Sequence, residues 1–424
     1  MALKTRRDAP WLALIILTAI STVGFIDRIV LNVLAVPIQA EFGITDTQVG
    51  LLTGLAFAVL NVTLGIAVAR YAERGPRVSL IAIGTMLWSL ATAACGLVGS
   101  FMQLLFARIG VGVGEAVGLP ATQSVVADYF PAERRATALS VLLLAPPIGA
   151  LLGSAGGGWI AQNFGWRMAF FIATIPGLLL AVAAWALIAE PPRGRYDREK
   201  SADVPPIGAV FSRLFRLKSA RQLLFGSTIA SMVGFGLNSF VAFLLVRRFD
   251  FSLAEAGLFA GLLASFPGAV AVLVGGWAAD RFGKRNPAAY ALIPGIALLI
   301  ASPLYMFAIT RDHVVLLLAL TTIAALFQYT YLGVTYGVFQ NLLHSRMRAT
   351  GSALLNAMYG LIGQGLGPLL VGFLSDRFLA SGYSPGRGLA YAMALTAAIY
   401  LWAALHYLLA ARHVGPDLAR VRED

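Results

Sequence analysis

The sequence has little charge. Only 12% of its 424 residues are Asp, Glu, Lys or Arg and 58% are hydrophobic, whereas about a quarter of the residues in soluble domains are charged. The mean hydropathy is +0.79. A globular protein of this length could not cover its surface with so few charges, so a water-soluble fold is excluded and lipid is the expected solvent.

Cysteine and histidine are also scarce. Cys95 is the single cysteine and lies in an apolar run, which excludes an intrachain disulfide and predicts a small buried hydrophobe. The four histidines lie at or near the ends of apolar runs, at His313, His344, His406 and His413. No spacing of His, Cys or carboxylates suits a metal site or a catalytic triad, so we expect neither an enzyme nor a metal or other cofactor.

Apolar runs long enough to cross a bilayer recur along the whole chain. A hydrocarbon core of about 30 Å needs about 20 helical residues. The run from Trp11 to Pro37 is too long for a signal peptide and has no cleavage site, so it is interpreted as a retained first helix. Twelve runs qualify, at 11–37, 48–70, 78–98, 101–127, 136–161, 167–189, 221–246, 254–278, 288–309, 314–342, 349–377 and 387–411. They predict an all-α protein with twelve transmembrane helices.

The basic residues are spread over the ends of these runs. The net charge is +12, but no single domain concentrates it, which argues against nucleic-acid binding. If the N-terminus is cytoplasmic, the inner segments hold 24 Lys and Arg and the outer segments hold six. This bias places both termini in the cytoplasm, and the lack of extended soluble loops favours a bacterial inner membrane.

A polar segment from Glu190 to Ala220 separates six spans from six. It opens with the proline-rich "EPPRGRYDREK", typical of a linker. Its second part predicts an amphipathic helix on the inner leaflet, with apolar residues at helical spacing and Arg213, Arg216 and Lys218 on other faces. A loop whose residues happen to alternate is the alternative. The apolar positions are Ile207, Val210, Phe211, Leu214 and Phe215. The expected division is therefore 1–189, 190–220 and 221–424.

The two halves repeat. Aligning Glu73 of "ARYAERGPR" (69–77) with Asp280 of "GWAADRFGKR" (276–285) gives an offset of 207 residues. Parallel six-span repeats of this kind occur in secondary transporters. The second motif resembles the loop signature of the major facilitator superfamily, and the first resembles a degraded copy. This resemblance implies two pseudo-symmetric six-helix bundles.

Within that superfamily the N-terminal half resembles the spinster family of lysolipid and sphingolipid transporters. The resembling elements are "DRIVLNVLAVPIQAEFGITDTQVGLLTGLAFAV" (27–59), "RIGVGVGEA" (108–116) and "ADYFPAERRATA" (127–138). The resemblance implies alternating access and an amphiphilic lipid substrate.

Four charged residues lie deep within the predicted spans, at Asp27, Arg28, Arg108 and Glu115. An ionisable group at such depth needs a partner or a water-filled cavity, which makes it a functional candidate. Glu115 falls near the midplane, and Asp27 and Arg28 lie roughly 5 Å outside it. Arg108 is two turns from Glu115 on the same helical face, roughly 10 Å nearer the outside. Asp27 thus falls between Arg108 and Glu115 in depth.

If the first and fourth spans face each other, as the superfamily resemblance implies, these residues form a ladder of alternating charge. Proximity to Arg108 would keep Asp27 ionised, and Glu115, desolvated at the centre, would load and release a proton. We assign Asp27 and Glu115 to proton coupling, Arg108 to its electrostatic control, and Arg28, with Arg108, to an anionic substrate group. The alternative is an ion-pair network that only fixes helix packing.

The second half has no deep charge. Its spans combine polar side chains with Phe and Leu, and Asn238, Gln328 and Tyr359 are the candidate substrate contacts. Such a lining suits a substrate with an apolar tail better than a sugar. Packing residues are the alternative.

Short turns carry further charges. The superfamily resemblance implies a cytoplasmic gate at Glu73, Arg74, Asp280 and Arg281. A solvated surface is the alternative.

Glycine and proline interrupt three spans. Gly110, Gly112 and Gly114 lie within a helical run, so they indicate close helix packing and not a phosphate loop. "LLLAPPIGALLG" (142–153) and "YGLIGQGLGP" (359–368) predict bent or flexible helices.

The sequence therefore predicts a monomeric, proton-driven transporter of a lysophospholipid or sphingolipid-like molecule. Export of hydrophobic drugs, uptake of small organic anions, and an uncoupled scramblase or receptor are the alternatives.

Overall fold

The computed structural model describes residues 9–72, 75–193, 195–196, 207–343 and 347–423. Its elements are helical. In chain order they are α1 (Pro10–Phe42), α2 (Asp46–Gly50), α3 (Ala56–Ala72), α4 (Arg77–Leu97), α5 (Phe101–Glu115), α6 (Gly118–Tyr129), α7 (Ala132–Leu142), α8 (Ala145–Leu151), α9 (Gly157–Phe164), α10 (Trp166–Leu187), α11 (Ile207–Arg216), α12 (Lys218–Phe249), α13 (Leu253–Gly283), α14 (Ala289–Thr310), α15 (Val314–Gln328), α16 (Thr330–Asn341), α17 (Arg348–Met358), α18 (Gly367–Ala380) and α19 (Pro385–Glu423). π-Helical stretches at Leu51–Leu55, Leu152–Gly156 and Tyr359–Leu366 join neighbouring helices.

In the described part of the chain, eleven helices are long and apolar enough to cross a membrane. The remaining predicted span, 101–127, corresponds to α5 and α6, which a turn at Ala116 and Val117 separates. Both turn residues keep right-handed helical dihedrals. The structure thus has helices at all twelve predicted spans.

Helix ends follow local side-chain chemistry. Thr45 and Gln48 form a reciprocal capping box at the start of α2, and the Ser100 hydroxyl accepts from the Gln103 N–H at the start of α5. These bonds satisfy N–H groups that have no partner within the helix. Gly43, with φ of 62°, ends α1 in the left-handed conformation that glycine adopts without strain.

The glycine-rich interruptions widen their helices. The π-helical stretch Leu152–Gly156 lies at the end of the segment 142–153. The stretch Tyr359–Leu366 coincides with the segment 359–368. π-Helical turns are a common cause of bends, and here they occur where the sequence predicts bent helices.

A helix, α11, occupies the part of the linker with the amphipathic pattern. Val210 and Leu214 are buried in the second unit defined below, whereas Phe211 is 47% exposed. The rings of Phe211 and Phe215 stack at 4.4 Å between centroids. The side chain of Ile207 lies outside the described residues.

The chain divides into two compact units that follow the two halves of the sequence except for two short segments. The first unit comprises the described parts of Met1–Ile44, Leu55–Lys200 and Phe251–Gly261. The second comprises those of Thr45–Gly54, Ser201–Asp250 and Leu262–Asp424. Each unit thus contains one segment of about ten residues from the other half of the sequence.

In the second unit, the segment 45–54 packs on α18 through glycine. A Cβ added to Gly50 would lie 2.4 Å from the carbonyl oxygen of Pro368, and one added to Gly372 would lie 2.1 Å from the carbonyl oxygen of Asp46. Real Cβ atoms do not approach oxygen so closely, so only glycine permits this backbone contact.

The first unit contains an equivalent contact. A Cβ added to Gly257 would lie 2.3 Å from the carbonyl oxygen of Ser154, and one added to Gly158 would lie 2.4 Å from that of Leu253. Gly257 and Leu253 lie 207 residues after Gly50 and Asp46, which is the repeat offset in the sequence. The sequence repeat is therefore also seen in the structure, as close contacts between glycines and backbone carbonyl oxygens.

Candidate functional site

The four deep charges come together in the first unit. Asp27 and Arg28 lie on α1, and Arg108 and Glu115 lie two turns apart on α5. Asp27 and Arg108 are fully buried and Glu115 is 9% exposed. Charged groups at this depth need compensating partners, so their contacts define what the cluster can do.

Arg28 pairs with Glu115. Its Nη2 lies 2.6 Å from Glu115 Oε2. The guanidinium also lies over the ring of Phe57, with Cζ 4.6 Å from the ring centroid. The Arg28 side chain keeps 24% of its surface exposed, whereas that of Glu115 keeps 5%. Arg28 is therefore the member of the cluster that a molecule from outside can reach.

Arg108 binds the main chain of Asp27. Its Nη1 donates to the Asp27 carbonyl oxygen at 3.1 Å. Among the described residues, neither Arg108 nor the Asp27 carboxylate takes part in an ion pair within 4.0 Å. The structure thus differs from the expected ladder of alternating charge. Glu115 pairs with Arg28, and Arg108 donates to a backbone carbonyl oxygen.

The Asp27 carboxylate has a single hydrogen-bond partner in the described structure. Thr92 on α4 donates from Oγ1 to Asp27 Oδ2 at 3.2 Å. Nothing in the sequence singles out Thr92, since a threonine is ordinary in a membrane helix. Its role depends on the position of α4 against α1.

Several buried polar atoms around this cluster have no hydrogen-bond partner in the described structure. They are Asp27 Oδ1, Arg28 Nε, Trp88 Nε1, Ser89 Oγ, Arg108 Nε and Glu115 Oε1. Buried polar groups are normally satisfied by protein or ordered water. A concentration of unsatisfied atoms is typical of a functional site that binds water, protons or a polar ligand.

Glycines bring the charged helix close to its neighbours. A Cβ added to Gly114 would lie 2.5 Å from the amide nitrogen of Trp88, and one added to Gly112 would lie 2.9 Å from the carbonyl oxygen of Phe57. Gly110 is less tight, at 3.3 Å from the Cβ of Ala91. These contacts agree with the predicted close packing.

In the second unit, the polar candidates are held by tyrosines. Asn238 Nδ2 donates to the Tyr329 hydroxyl at 2.7 Å. The Tyr305 hydroxyl donates to Gln328 Oε1 at 2.6 Å, and Gln328 is 1% exposed. Two of the candidate side chains are thus fixed in orientation by phenolic groups.

Tyr359 belongs to an aromatic cluster of the second unit. Its ring lies nearly perpendicular to those of Tyr331 and Tyr336, with centroids 6.4 Å and 6.0 Å away. The Tyr336 hydroxyl donates to Asn356 Oδ1. Edge-to-face rings of this kind form a semi-rigid surface that is apolar but has hydroxyl groups at its edges.

The gate candidates are only partly described. Asp280 and Arg281 are exposed at the end of α13 and line a cavity of about 350 Å³. Trp277, Lys284 and Arg285 complete its lining. Glu73 and Arg74 lie outside the described residues.

Two buried ion-pair clusters had no signal in the sequence. Arg77, 2% exposed, pairs with Asp128 and donates from Nε to Glu190 Oε1 at 2.9 Å. In the second unit, Arg247 donates to both carboxylate oxygens of Asp46, at 2.8 Å and 2.6 Å. Their residues lie near span ends, where isolated charges are ordinary, so the sequence pattern does not distinguish them.

The described residues thus contain eleven helices that could cross a membrane, two units with repeat-related contacts, and a buried charge cluster with one accessible guanidinium, as expected of a membrane transporter. The match to a family model covers residues 16–368. The chain belongs to the Major Facilitator Superfamily. The predicted all-α membrane fold with two six-helix bundles is thereby confirmed, as is the prediction that the protein is a transporter and not an enzyme.

Comparison with known proteins shows which members of this superfamily the chain resembles. The structure of a bacterial homologue of the human lysosomal transporter Spinster, inward-facing and unoccupied, superposes with a TM-score of 0.88 at 31% identity, covering 96% of this chain and 98% of that one. An MFS-type efflux pump of Mycolicibacterium smegmatis is 31% identical over 417 residues, covering 96% of this chain and 94% of the pump. Protein spinster homolog 1 of Rattus norvegicus is 27% identical, covering 87% of this chain and 74% of the relative. The chain thus resembles spinster transporters.

Proposed function

We propose that the protein is a proton-coupled secondary transporter of a lysophospholipid or sphingolipid-like molecule that works by alternating access. The observation that carries this proposal is the Arg28–Glu115 ion pair beside the buried Asp27. A guanidinium that is partly open and already engaged by a carboxylate can exchange that carboxylate for a substrate anion.

The substrate side of the exchange starts at Arg28. A phosphate group offers two oxygens to the planar guanidinium, in the geometry that Arg binds best. Phe25 and Phe57 lie against the guanidinium, with Cζ 5.1 Å and 4.6 Å from their centroids, and would orient it. Arg108 contributes a second positive charge to the site that would bind the phosphate. Asn238, Gln328 and Tyr359 of the second unit serve as further substrate contacts.

The proton side of the exchange follows from Glu115. When phosphate takes the guanidinium, the buried Glu115 carboxylate loses its cation, and a buried carboxylate without a counter-charge binds a proton more readily. Asp27, close to Glu115 and without an ion pair in the described structure, is the second proton site. Arg108 biases both acids through its charge. Protonation then changes which conformation is favoured.

The cellular setting belongs to the same proposal. We place the protein in a bacterial inner membrane as a monomer, with both termini in the cytoplasm. Glu73, Arg74, Asp280 and Arg281 form its cytoplasmic gate, and α11 lies on the inner leaflet. The proton gradient is the energy source.

One observation favours a second candidate. The M. smegmatis relative, similar over nearly the whole chain, is an efflux pump. Export of hydrophobic compounds would use the same buried acids but would not need a phosphate on Arg28. The two candidates therefore differ in the role of a single guanidinium.

Transport into liposomes under an imposed pH gradient tests the proposal. Purified protein is given fluorescent lysophosphatidylethanolamine or a hydrophobic cationic dye. We expect uptake of the lysolipid by the wild type to follow the gradient, and Asp27→Asn and Glu115→Gln to abolish this dependence. The control is Asp312→Asn, which changes an acid whose side chain is 70% exposed.

Two results would contradict the proposal. If Asp27→Asn and Glu115→Gln respond to the gradient as the wild type does, these acids do not couple protons. If only the dye is moved, and Arg28→Ala leaves its transport unchanged, the efflux candidate replaces the lipid transporter.

A further inference from the structure

Thr92 and Asp27 form an isolated pair inside the first unit. Both are fully buried, and the Thr92 hydroxyl donates to Asp27 Oδ2 at 3.2 Å. The second carboxylate oxygen, Oδ1, has no partner in the described structure. A single neutral hydroxyl is therefore the group that bonds the Asp27 side chain.

Three other buried threonines each bond the backbone of their own helix. Thr85, two turns earlier on α4, donates to the carbonyl of Ile81 at 2.7 Å. Thr53 and Thr174 also donate to the carbonyl four residues earlier, at 3.0 Å and 2.9 Å. This local bond is the ordinary way for a threonine to satisfy its hydroxyl inside a helix. Thr92 instead reaches across to another helix.

The charged groups around Asp27 are otherwise engaged. Arg28 pairs with Glu115, and Arg108 donates to the Asp27 carbonyl oxygen. Cys95, one turn beyond Thr92 on α4, is a further titratable group that interacts electrostatically with Asp27. Arg108, Glu115 and Cys95 act on Asp27 through their charge, whereas in the described structure Thr92 is the residue that hydrogen-bonds its carboxylate, at Oδ2.

We infer that Thr92 is the positioning residue for the proton on Asp27. The Thr92 hydroxyl can donate and accept. It donates to Oδ2 when Asp27 is ionised. When the carboxyl takes up a proton from water, the hydroxyl accepts from the new O–H and donates to the carbonyl of Trp88, four residues earlier. Both protonation states thus keep a hydrogen bond.

This inference rests on the proposed function, in which Asp27 carries a proton. It adds a residue without charge to the coupling machinery. A hydrogen bond that favours the ionised carboxylate lowers the pH at which the proton binds, so Thr92 would adjust the working range of the transporter.

Infrared spectroscopy tests the inference without any substrate. The full-length protein in liposomes is titrated, and the C=O stretch of the protonated carboxylic acid is followed. The band lost in Asp27→Asn reports Asp27. In Thr92→Val, which keeps the shape and removes the hydroxyl, we expect the midpoint of this band to rise by about one pH unit, because the ionised form loses a charge-assisted hydrogen bond.

The chain offers matched controls. Thr92→Ser keeps the hydroxyl and should retain the wild-type midpoint. Thr85→Val removes an equally buried hydroxyl from the same helix and should leave the midpoint unchanged. If Thr92→Val does not fold, Thr92→Ala replaces it, with the same shift expected.

Each outcome is decisive. The inference is overturned if the midpoint in Thr92→Val matches that in Thr85→Val, if Thr92→Ser shifts as far as Thr92→Val, or if Asp27→Asn removes no titrating band. Failure of the proposed function is recognised separately, because the liposome assay would then show a wild-type pH response in Asp27→Asn whatever the infrared result.

Discussion

Arg28 and Glu115 lie 87 residues apart in the chain, yet Arg28 Nη2 donates to Glu115 Oε2 at 2.6 Å. The acid is nearly inaccessible, and the guanidinium keeps part of its surface open. Breaking a buried ion pair leaves an uncompensated charge, so anything that takes Arg28 from Glu115 must supply an anion or deliver a proton. Under the proposed function, the pair would couple the occupancy of the substrate site to the charge of Glu115.

The planar geometry of the Arg28 guanidinium, and not only its charge, should contribute to substrate binding. We expect Arg28→Lys to weaken binding of lysophosphatidylethanolamine about tenfold, because an ammonium makes no bidentate contact with phosphate and is more strongly hydrated. Tryptophan fluorescence in detergent measures this binding. Arg167→Lys is the control, since Arg167 binds the exposed Glu41. Equal effects of the two changes would argue against a phosphate contact at Arg28.

The bond between Arg247 and Asp46 should stabilise the second unit. Arg247→Ala removes two hydrogen bonds from a carboxylate whose side chain is 6% exposed, at an expected cost of roughly 2–4 kcal/mol. Thermal unfolding followed by intrinsic fluorescence reports the change. Arg387→Ala is the control, because Arg387 is 63% exposed and lies 3.8 Å from Asp312, and it should cost less than about 0.5 kcal/mol. A small effect of Arg247→Ala would mean that the other contacts of Asp46 suffice.

The glycine contact between Gly372 and Asp46 should tolerate no side chain. We expect Gly372→Ala to destabilise the protein by about 1–3 kcal/mol, because a Cβ placed 2.1 Å from a carbonyl oxygen forces the backbone apart. Gly337→Ala is the matched control on α16, where a Cβ meets nothing within 4 Å, and it should be neutral or stabilising by up to about 1 kcal/mol. Comparison of the two melting temperatures tests the contact, and similar values would refute it.

The positions of the spans and of the charge cluster could be read from the sequence. Run length gives the membrane helices, and a rise of 1.5 Å per residue places Asp27 in depth between Arg108 and Glu115. The pairing inside the cluster could not be read in this way. It depends on the rotation of each helix about its axis and on side-chain rotamers, which decide that Glu115 meets Arg28 and that Arg108 meets a backbone oxygen.

Contacts between distant segments were also beyond the sequence patterns. Periodicity describes one helix at a time and carries no information on which helix will face Thr92 or Asp46. The repeat offset relates Gly50 to Gly257, but only the structure shows that both glycines touch carbonyl oxygens of the helices on which they pack. Arg77 was likewise unpredicted as a buried residue, because its burial depends on Asp128 and Glu190.

The hydrogen-bond partners of Asp46 are synthesised long after Asp46 itself. Arg247 leaves the ribosome 201 residues after Asp46, and Ser375, whose hydroxyl donates to the same carboxylate at 2.6 Å, follows 329 residues after it. The backbone N–H groups of Asp46 and Thr47 donate to the carboxylate of Asp376, which is synthesised about equally late. Because a growing chain orders its N-terminal parts first, the start of α2 is made long before these partners exist. Its contacts with Ser375 and Asp376 can therefore form only after the eleventh span has been made.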